Sequence, residues 1–198
     1  MTETEQLEDQ IQKQIARLHE LRKSAKPKPV KNYQFKTLDG SASLLDLFAG
    51  KTKLFVIHNM GQGCRYCTLW ADGINAFLPH LEDEFAVVLV SRDPPEQQRT
   101  FANSRGWRFR LASHGGGKYI REQSVHAGED NYPGIVCYQR KGDTIFKMNS
   151  AEFGPGDLYC SIWHLLGLAG VGEDAWTPQY SYWKRPKKLD DGGQNLRD

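Results

Sequence analysis

Cys64-Arg65-Tyr66-Cys67 sets two thiols three positions apart, close enough to alternate between a dithiol and a small disulfide ring. The pair follows the apolar run Leu54-Phe55-Val56-Ile57 and precedes a helix-like stretch from Thr68 to Leu81. Strand, glycine-containing turn, cysteine pair and helix put the first sulfur at a helix N-terminus. There, unpaired N–H groups and the macrodipole favour a thiolate, and Arg65 adds a positive charge beside it. The chemistry this predicts is thiol–disulfide exchange, in which Cys64 attacks an oxidised sulfur and Cys67 resolves the mixed intermediate. That chemistry needs neither a metal nor an organic cofactor.

Two blander readings compete. A structural zinc site wants four Cys or His ligands, commonly as two close pairs. Cys137 and Cys160 are 23 positions apart and form no second pair, so His58, His80 or His114 would have to complete the set. The other rival is an inert buried pair of thiols. Cys137, in a strand, and Cys160, in an apolar helix, read as buried core thiols.

The elements that must position the pair follow from periodicity and turn chemistry. Residues 2 to 25 predict one amphipathic helix with Leu7, Ile11, Leu18 and Leu21 on one side and Ile15 beside them. It packs back on its own domain or serves as an arm for a homodimer or another partner. Lys26-Pro27-Lys28-Pro29 reads as a stiff linker. Tyr33 to Leu38 reads as a strand, Asp39-Gly40 as its turn and Ser43 to Phe48 as a short helical segment. Lys53 to Asn59 is the first core strand. Phe85 to Val90 is an apolar run suited to a strand buried on both faces. Pro95 to Ser104 predicts a helix with proline in its first turn and Gly106 ending it. Arg108 to Ser113 alternates like a strand, and His114 to Asn131 reads as a loop with one helical turn. Lys141-Gly142-Asp143 joins two strands into a hairpin, and Leu158 to Gly167 is the last helix.

The order β-α-β-α-β-β-α, preceded by an extra strand, predicts an α/β fold of the thioredoxin-like three-layer sandwich type with a central mixed sheet. Residues 1–30 form the helix and linker, 31–176 the thioredoxin-like domain and 177–198 a tail. By analogy with this topology Pro133, just before the hairpin, faces the cysteine pair, and a cis Tyr132–Pro133 bond would present backbone to a substrate; otherwise it is a plain strand-start proline. Arg92 ends a core strand on the same sheet edge as Cys64, where it either orients an anionic substrate or pairs with a nearby acid. His58 and Asp72 are candidate proton handlers for Cys67, or else a structural histidine and a surface or packing carboxylate. Trp70 packs the helix onto the sheet or walls the thiol pocket.

With those residues in view, the chain resembles the thioredoxin-like proteins of the domain-of-unknown-function 899 family, described as dithiol–disulfide oxidoreductases. The matching blocks are Gly63-Cys64-Arg65-Tyr66-Cys67-Thr68-Leu69-Trp70-Ala71-Asp72, Val90-Ser91-Arg92-Asp93-Pro94 and Gly106-Trp107-Arg108-Phe109. The hairpin from Tyr138 to Phe146 matches in character. The family commonly has proline after its first cysteine, where this chain has Arg65. A peroxiredoxin would carry Thr or Ser three positions before its peroxidatic cysteine and proline earlier; here Gly61 and Ile57 stand there.

Composition bounds the partners. In 198 residues, 26 basic side chains nearly balance 24 acidic ones, and the net charge of +2 argues for neither nucleic acid nor membrane. Four of the five residues Lys184 to Lys188 are basic, as in a solvated tail. The N-terminus has no apolar h-region and no segment has the length of a membrane span, so the expected compartment is the cytoplasm. The expected partner is a protein or low-molecular-weight thiol or disulfide. The expectation is therefore a thiol–disulfide oxidoreductase with Cys64 as nucleophile and Cys67 as resolving thiol. The alternatives are a non-catalytic binding or assembly module of the same fold and a peroxiredoxin-like thiol peroxidase.

Overall fold

The chain begins with α1 (Glu3–Lys23), then runs through three short strands, β1 (Lys28–Val30), β2 (Gln34–Thr37) and β3 (Gly40–Ser43), to a 3-10 turn at Asp46–Phe48. The computed structural model describes residues 1–172 and 174–180. The core units follow as β4 (Lys53–His58), α2 (Arg65–Glu84), β5 (Ala86–Ser91), α3 (Pro95–Arg105), β6 (Arg110–Ser113) and α4 (Lys118–Gln123). The hairpin β7 (Gly134–Lys141) and β8 (Thr144–Glu152) precedes α5 (Ser161–Leu168). Among the described residues the strands form one mixed sheet in the order β1-β8-β7-β4-β5-β6-β2-β3. β4 pairs parallel with β5 and antiparallel with β7, so the loop after β4 emerges where β5 also ends and β7 begins. This is the thioredoxin-like arrangement that the element order predicts.

Strand alternation divides the core in two. Leu54, Val56, Val88 and Val90 face a layer containing Tyr33, Phe35, Leu44, Phe48, Tyr119 and Ile120. On the other face Ile57, Val87 and Leu89 meet Trp70, Ala71, Ile74 and Leu78 of α2, Ala102 of α3 and Trp163 of α5. All six residues of β5 are buried, as a strand covered on both faces requires. Burying six residues of α2 fixes the direction in which its N-terminus points.

Several segments differ from the sequence reading, among them Gly40–Ser43, which pairs with β2 as a strand. Lys28–Val30 is not a linker; it pairs with Ile145–Lys147 as the edge of the sheet. An edge strand tolerates Pro29 because one side of its backbone needs no donor. The helical turn expected between 114 and 131 lies at 118–123, with Tyr119 and Ile120 buried. The last helix starts at Ser161 rather than Leu158, because Asp157 accepts hydrogen bonds from the backbone N–H groups of Tyr159 and Cys160 and holds the preceding turn. α1 buries none of its residues. The tail from 181 onward, including Lys184 to Lys188, lies outside the described residues.

Candidate thiol site

Cys64 is the N-cap of α2, with φ −101° and ψ 106°. The turn before it closes through Cys64 N–H donating to the Gly61 carbonyl at 3.1 Å. Gly61 has φ +114°, and a Cβ there would come within 2.8 Å of the Asp93 carboxylate, so only glycine suits the position. That carboxylate accepts Gln62 N–H at 2.8 Å and ties the turn to the end of β5. Asn59 works from the other side. Its Oδ1 accepts Gly61 N–H at 2.8 Å and its Nδ2 donates to the Cys67 carbonyl at 3.3 Å.

The two sulfurs occupy unlike surroundings. Cys64 is half-buried, whereas Cys67 is only 3% exposed. Cys64 Sγ accepts Cys67 N–H at 3.1 Å, and Cys67 Sγ accepts Met60 N–H at 3.4 Å. Both cysteines are free thiols. Donation from the Cys67 thiol, helped by the Cys67 and Tyr66 backbone N–H groups, brings Cys64 down from 9.0 to about 7 against the opposing effect of burial. The same contact, together with burial and the negative charge of Cys64, pushes Cys67 well above its ordinary range. Arg65 is not among the groups that shift Cys64. Its guanidinium donates to Gln179 Oε1 at 3.3 Å, and the Cys67 thiol, with local backbone donors, does the work expected of it.

The remaining candidates are spread over both sheet faces. His58 lies on the face of Leu54 and Val56, opposite α2. Its Nε2 is 2.8 Å from the Tyr119 hydroxyl, and burial lowers its pKa to about 3. Asp72 is held by α3 and the residues just after it. It pairs with Arg105 through both carboxylate oxygens and accepts Trp107 Nε1–H at 2.7 Å. Trp70 is buried and stacks on Phe153 with ring centroids 5.5 Å apart. Arg92 is exposed and pairs with Asp130 at 3.4 Å. Pro133 is buried beside the loop that follows β4, as the register of His58 with Gly134 requires. The Tyr132–Pro133 bond is trans, and the Pro133 carbonyl is taken by Phe153 N–H at 3.0 Å. Cys160 is buried, and Cys137 is half-buried in β7. Among the described residues no three His, Cys, Asp or Glu side chains converge on a metal position.

Sequence reasoning missed the strap over this site. Arg105 Nη1 donates to the Tyr180 carbonyl at 2.8 Å, Phe101 meets the Tyr180 ring edge-on at 6.5 Å, and Gln179 holds Arg65. Trp176 anchors the approach against Trp163, which also stacks on Tyr66. Asp72 thus braces the arginine that pins the strap. Partners 75 residues apart left no local signal. The Asn59-to-Gly61 turn did leave one, in an Asx residue two positions before a glycine.

Fold and thiol placement define a thioredoxin-like protein. A proposed protein disulfide isomerase from Bacteroides thetaiotaomicron is similar at 18% identity, covering 71% of this chain and 86% of that one, with a TM-score of 0.52. Peroxidoxin BcpB from Mycobacterium tuberculosis is similar at 14% identity over 73% of this chain and 94% of its own, TM-score 0.52. Reduced Prx3 from Vibrio vulnificus is similar at 12% identity over 73% and 98%, TM-score 0.53. At these identities the likeness is one of fold. No curated protein matches the sequence. The chain belongs to the family described as bacterial protein of unknown function (DUF899), whose model matches residues 3–189. Among the described residues no helix is long and apolar enough to cross a membrane.

Proposed function

We propose that the protein is a dithiol–disulfide oxidoreductase acting on protein or low-molecular-weight disulfides. One observation carries the reading: a half-exposed thiol at a helix N-cap, brought to about 7, whose donor is a second, buried thiol. Near neutral pH a large fraction of Cys64 is thiolate. It attacks one sulfur of a substrate disulfide, and the other leaves as a thiolate that takes a proton from solvent. With Cys64 held in the mixed disulfide, the hydrogen bond and negative charge that raise Cys67 are gone, and Met60 N–H favours its thiolate. Cys67 then loses its proton to solvent and attacks Cys64 Sγ, releasing the second substrate thiol. Two electrons pass from the protein dithiol to the substrate, and the Cys64–Cys67 disulfide remains. Run backwards, the same steps oxidise a substrate dithiol. His58 and Asp72, each held by other partners, take no part.

Equilibration against glutathione buffers of graded poise, read by mass spectrometry, tests this. The expected result is a reversible two-electron couple between about −120 and −270 mV. Failure to form the disulfide at any poise overturns it and leaves a binding module. A peroxide would give Cys64 sulfenic acid and water, and Cys67 would then form the same disulfide with loss of a second water. Oxidation that is much faster with hydrogen peroxide than with disulfides would move the assignment to a thiol peroxidase.

A further inference from the structure

α1 carries a complete set of local signals and, among the described residues, few tertiary contacts. Thr2 and Glu5 form a capping box, Asp9 and Lys13 pair one turn apart, and acidic and basic residues sit at the ends that suit the macrodipole. Among the described residues its polar ties to the domain are at its C-terminal end. Asn149 Nδ2 donates to the Arg22 carbonyl at 3.1 Å, and the Arg22 guanidinium lies 5.9 Å from the centre of the Tyr159 ring. Leu7, Ile11 and Leu21 are 57%, 46% and 59% exposed. Helices draw most of their stability from burying an apolar face; among the described residues this one is only partly covered, with Ile15 and Leu18 half-buried.

Thr4, Leu7, Ile11, Gln14, Leu18 and Leu21 repeat at alternating spacings of three and four. This is the heptad seam of a coiled coil rather than the wider stripe of a helix lying on a domain. Ile15 flanks the seam. Leu158 extends the patch, joining Leu7, Ile11, Ile15 and Leu18 around a concavity of about 480 Å³.

The charges select the occupant and its direction. The N-terminal part of α1 holds Glu3, Glu5, Glu8 and Asp9 with no base; the part from 13 to 23 holds Lys13, Arg17, Arg22 and Lys23 with one acid, Glu20. The positions bordering the seam are Glu3, Glu8, Gln10, Ile15, Arg17 and Arg22. A parallel pair would set Glu3 against Glu8 of the other chain and Arg17 against Arg22, repelling at both ends. An antiparallel pair lays the acidic part of each helix along the basic part of the other, with Glu8 facing Arg22 and Glu3 facing Arg17. We propose that α1 is the interface of an antiparallel, two-fold symmetric homodimer of this chain.

Sedimentation and light scattering on the full-length protein test the state, and charge reversal tests the direction. The expected mass is about twice 22.5 kDa, and Ile11→Asp should halve it while leaving the alkylation of Cys64 unchanged. Glu8→Lys and Arg22→Glu should each weaken dimerisation several-fold, and the two together should restore it. Monomers at every concentration, with or without capture by anionic vesicles, would overturn the proposal. So would a Glu8→Lys variant that dimerises more tightly, since in a parallel pair the introduced lysine would attract Glu3 of the other chain. These outcomes are independent of whether the thiols are redox-active.

Discussion

Two cysteines in this protein occupy the same backbone position and differ in chemistry. Cys64 is the N-cap of α2 and Cys160 the N-cap of α5, and both are extended, at φ −101°, ψ 106° and φ −125°, ψ 104°. The Cys64 thiol is brought down to about 7, whereas Cys160 is raised. At Cys64 the sulfur itself caps the helix, accepting an N–H of the first turn, and a second thiol donates to it. At Cys160 burial comes first among the causes. The Ile162 N–H offsets part of it, and the negative charge of Asp157 adds to the rise. A helix N-terminus alone therefore does not make a thiolate; the second thiol that donates to Cys64 does, whereas at Cys160 burial prevails.

The sharpest way to break this contrast is to remove each sulfur in turn. Cys64→Ser should reduce turnover of a disulfide substrate by about 10³-fold or more, as loss of a nucleophile does. Cys160→Ser should leave turnover within about twofold. Equal losses in the two variants, measured by steady-state disulfide reduction, would erase the distinction. Next in size is the effect of the donor. Cys67→Ala removes the thiol that stabilises Cys64, so the midpoint of Cys64 alkylation by iodoacetamide should rise from about 7 towards 9.0. The same variant should accumulate mixed disulfides with substrate, visible as adducts by mass spectrometry. A midpoint that stays near 7 would transfer the effect to the backbone donors.

The pH profile separates the two cysteines without mutation. A lowered thiol pKa means that the reactive form is present at and above about 7 and lost as pH falls through it. Cys64 labelling should therefore climb through about pH 7. The raised Cys160 thiol should remain inert there and begin to label only above its ordinary 9.0. Peptide mapping of protein labelled at about pH 6, 7 and 8, on either side of the Cys64 midpoint, reads both sites together.

Much of this site is local and was legible. The apolar run that became β5, the hairpin glycine Gly142 at φ +58° and the strand–turn–cysteine–helix order depend on neighbours in sequence. Period-two alternation also places His58. His58 shares parity with Leu54 and Val56, and α2 packs on the face of Phe55 and Ile57, so His58 could not serve the thiols. What stayed hidden depends on distant partners. Asp72 reads as a carboxylate near a cysteine until folding brings Arg105 and Trp107 to it, and the strap over the thiols is held by contacts spanning 75 to 114 residues. Asp72→Asn tests this assignment. It keeps an oxygen for the indole but loses the charge facing Arg105, and should cost about 1–2 kcal/mol in chemical denaturation. The Cys64 midpoint should not move; a shift would make Asp72 part of the thiol chemistry after all.

The smallest expected effect tests which influence on Cys160 dominates. Asp157→Asn removes the neighbouring negative charge but leaves Oδ1 to accept Tyr159 N–H and Cys160 N–H, now at 2.7 and 3.0 Å. The amide nitrogen that replaces Oδ2 cannot accept Gly154 N–H, so the turn should lose about 1 kcal/mol. Burial, the larger of the two raising influences, is untouched, and Cys160 should gain only slightly in alkylation rate. If instead the variant labels as readily as Cys64, the carboxylate alone was suppressing a reactive N-cap thiol. The helix N-terminus would then account for the larger share of the effect at Cys64 as well.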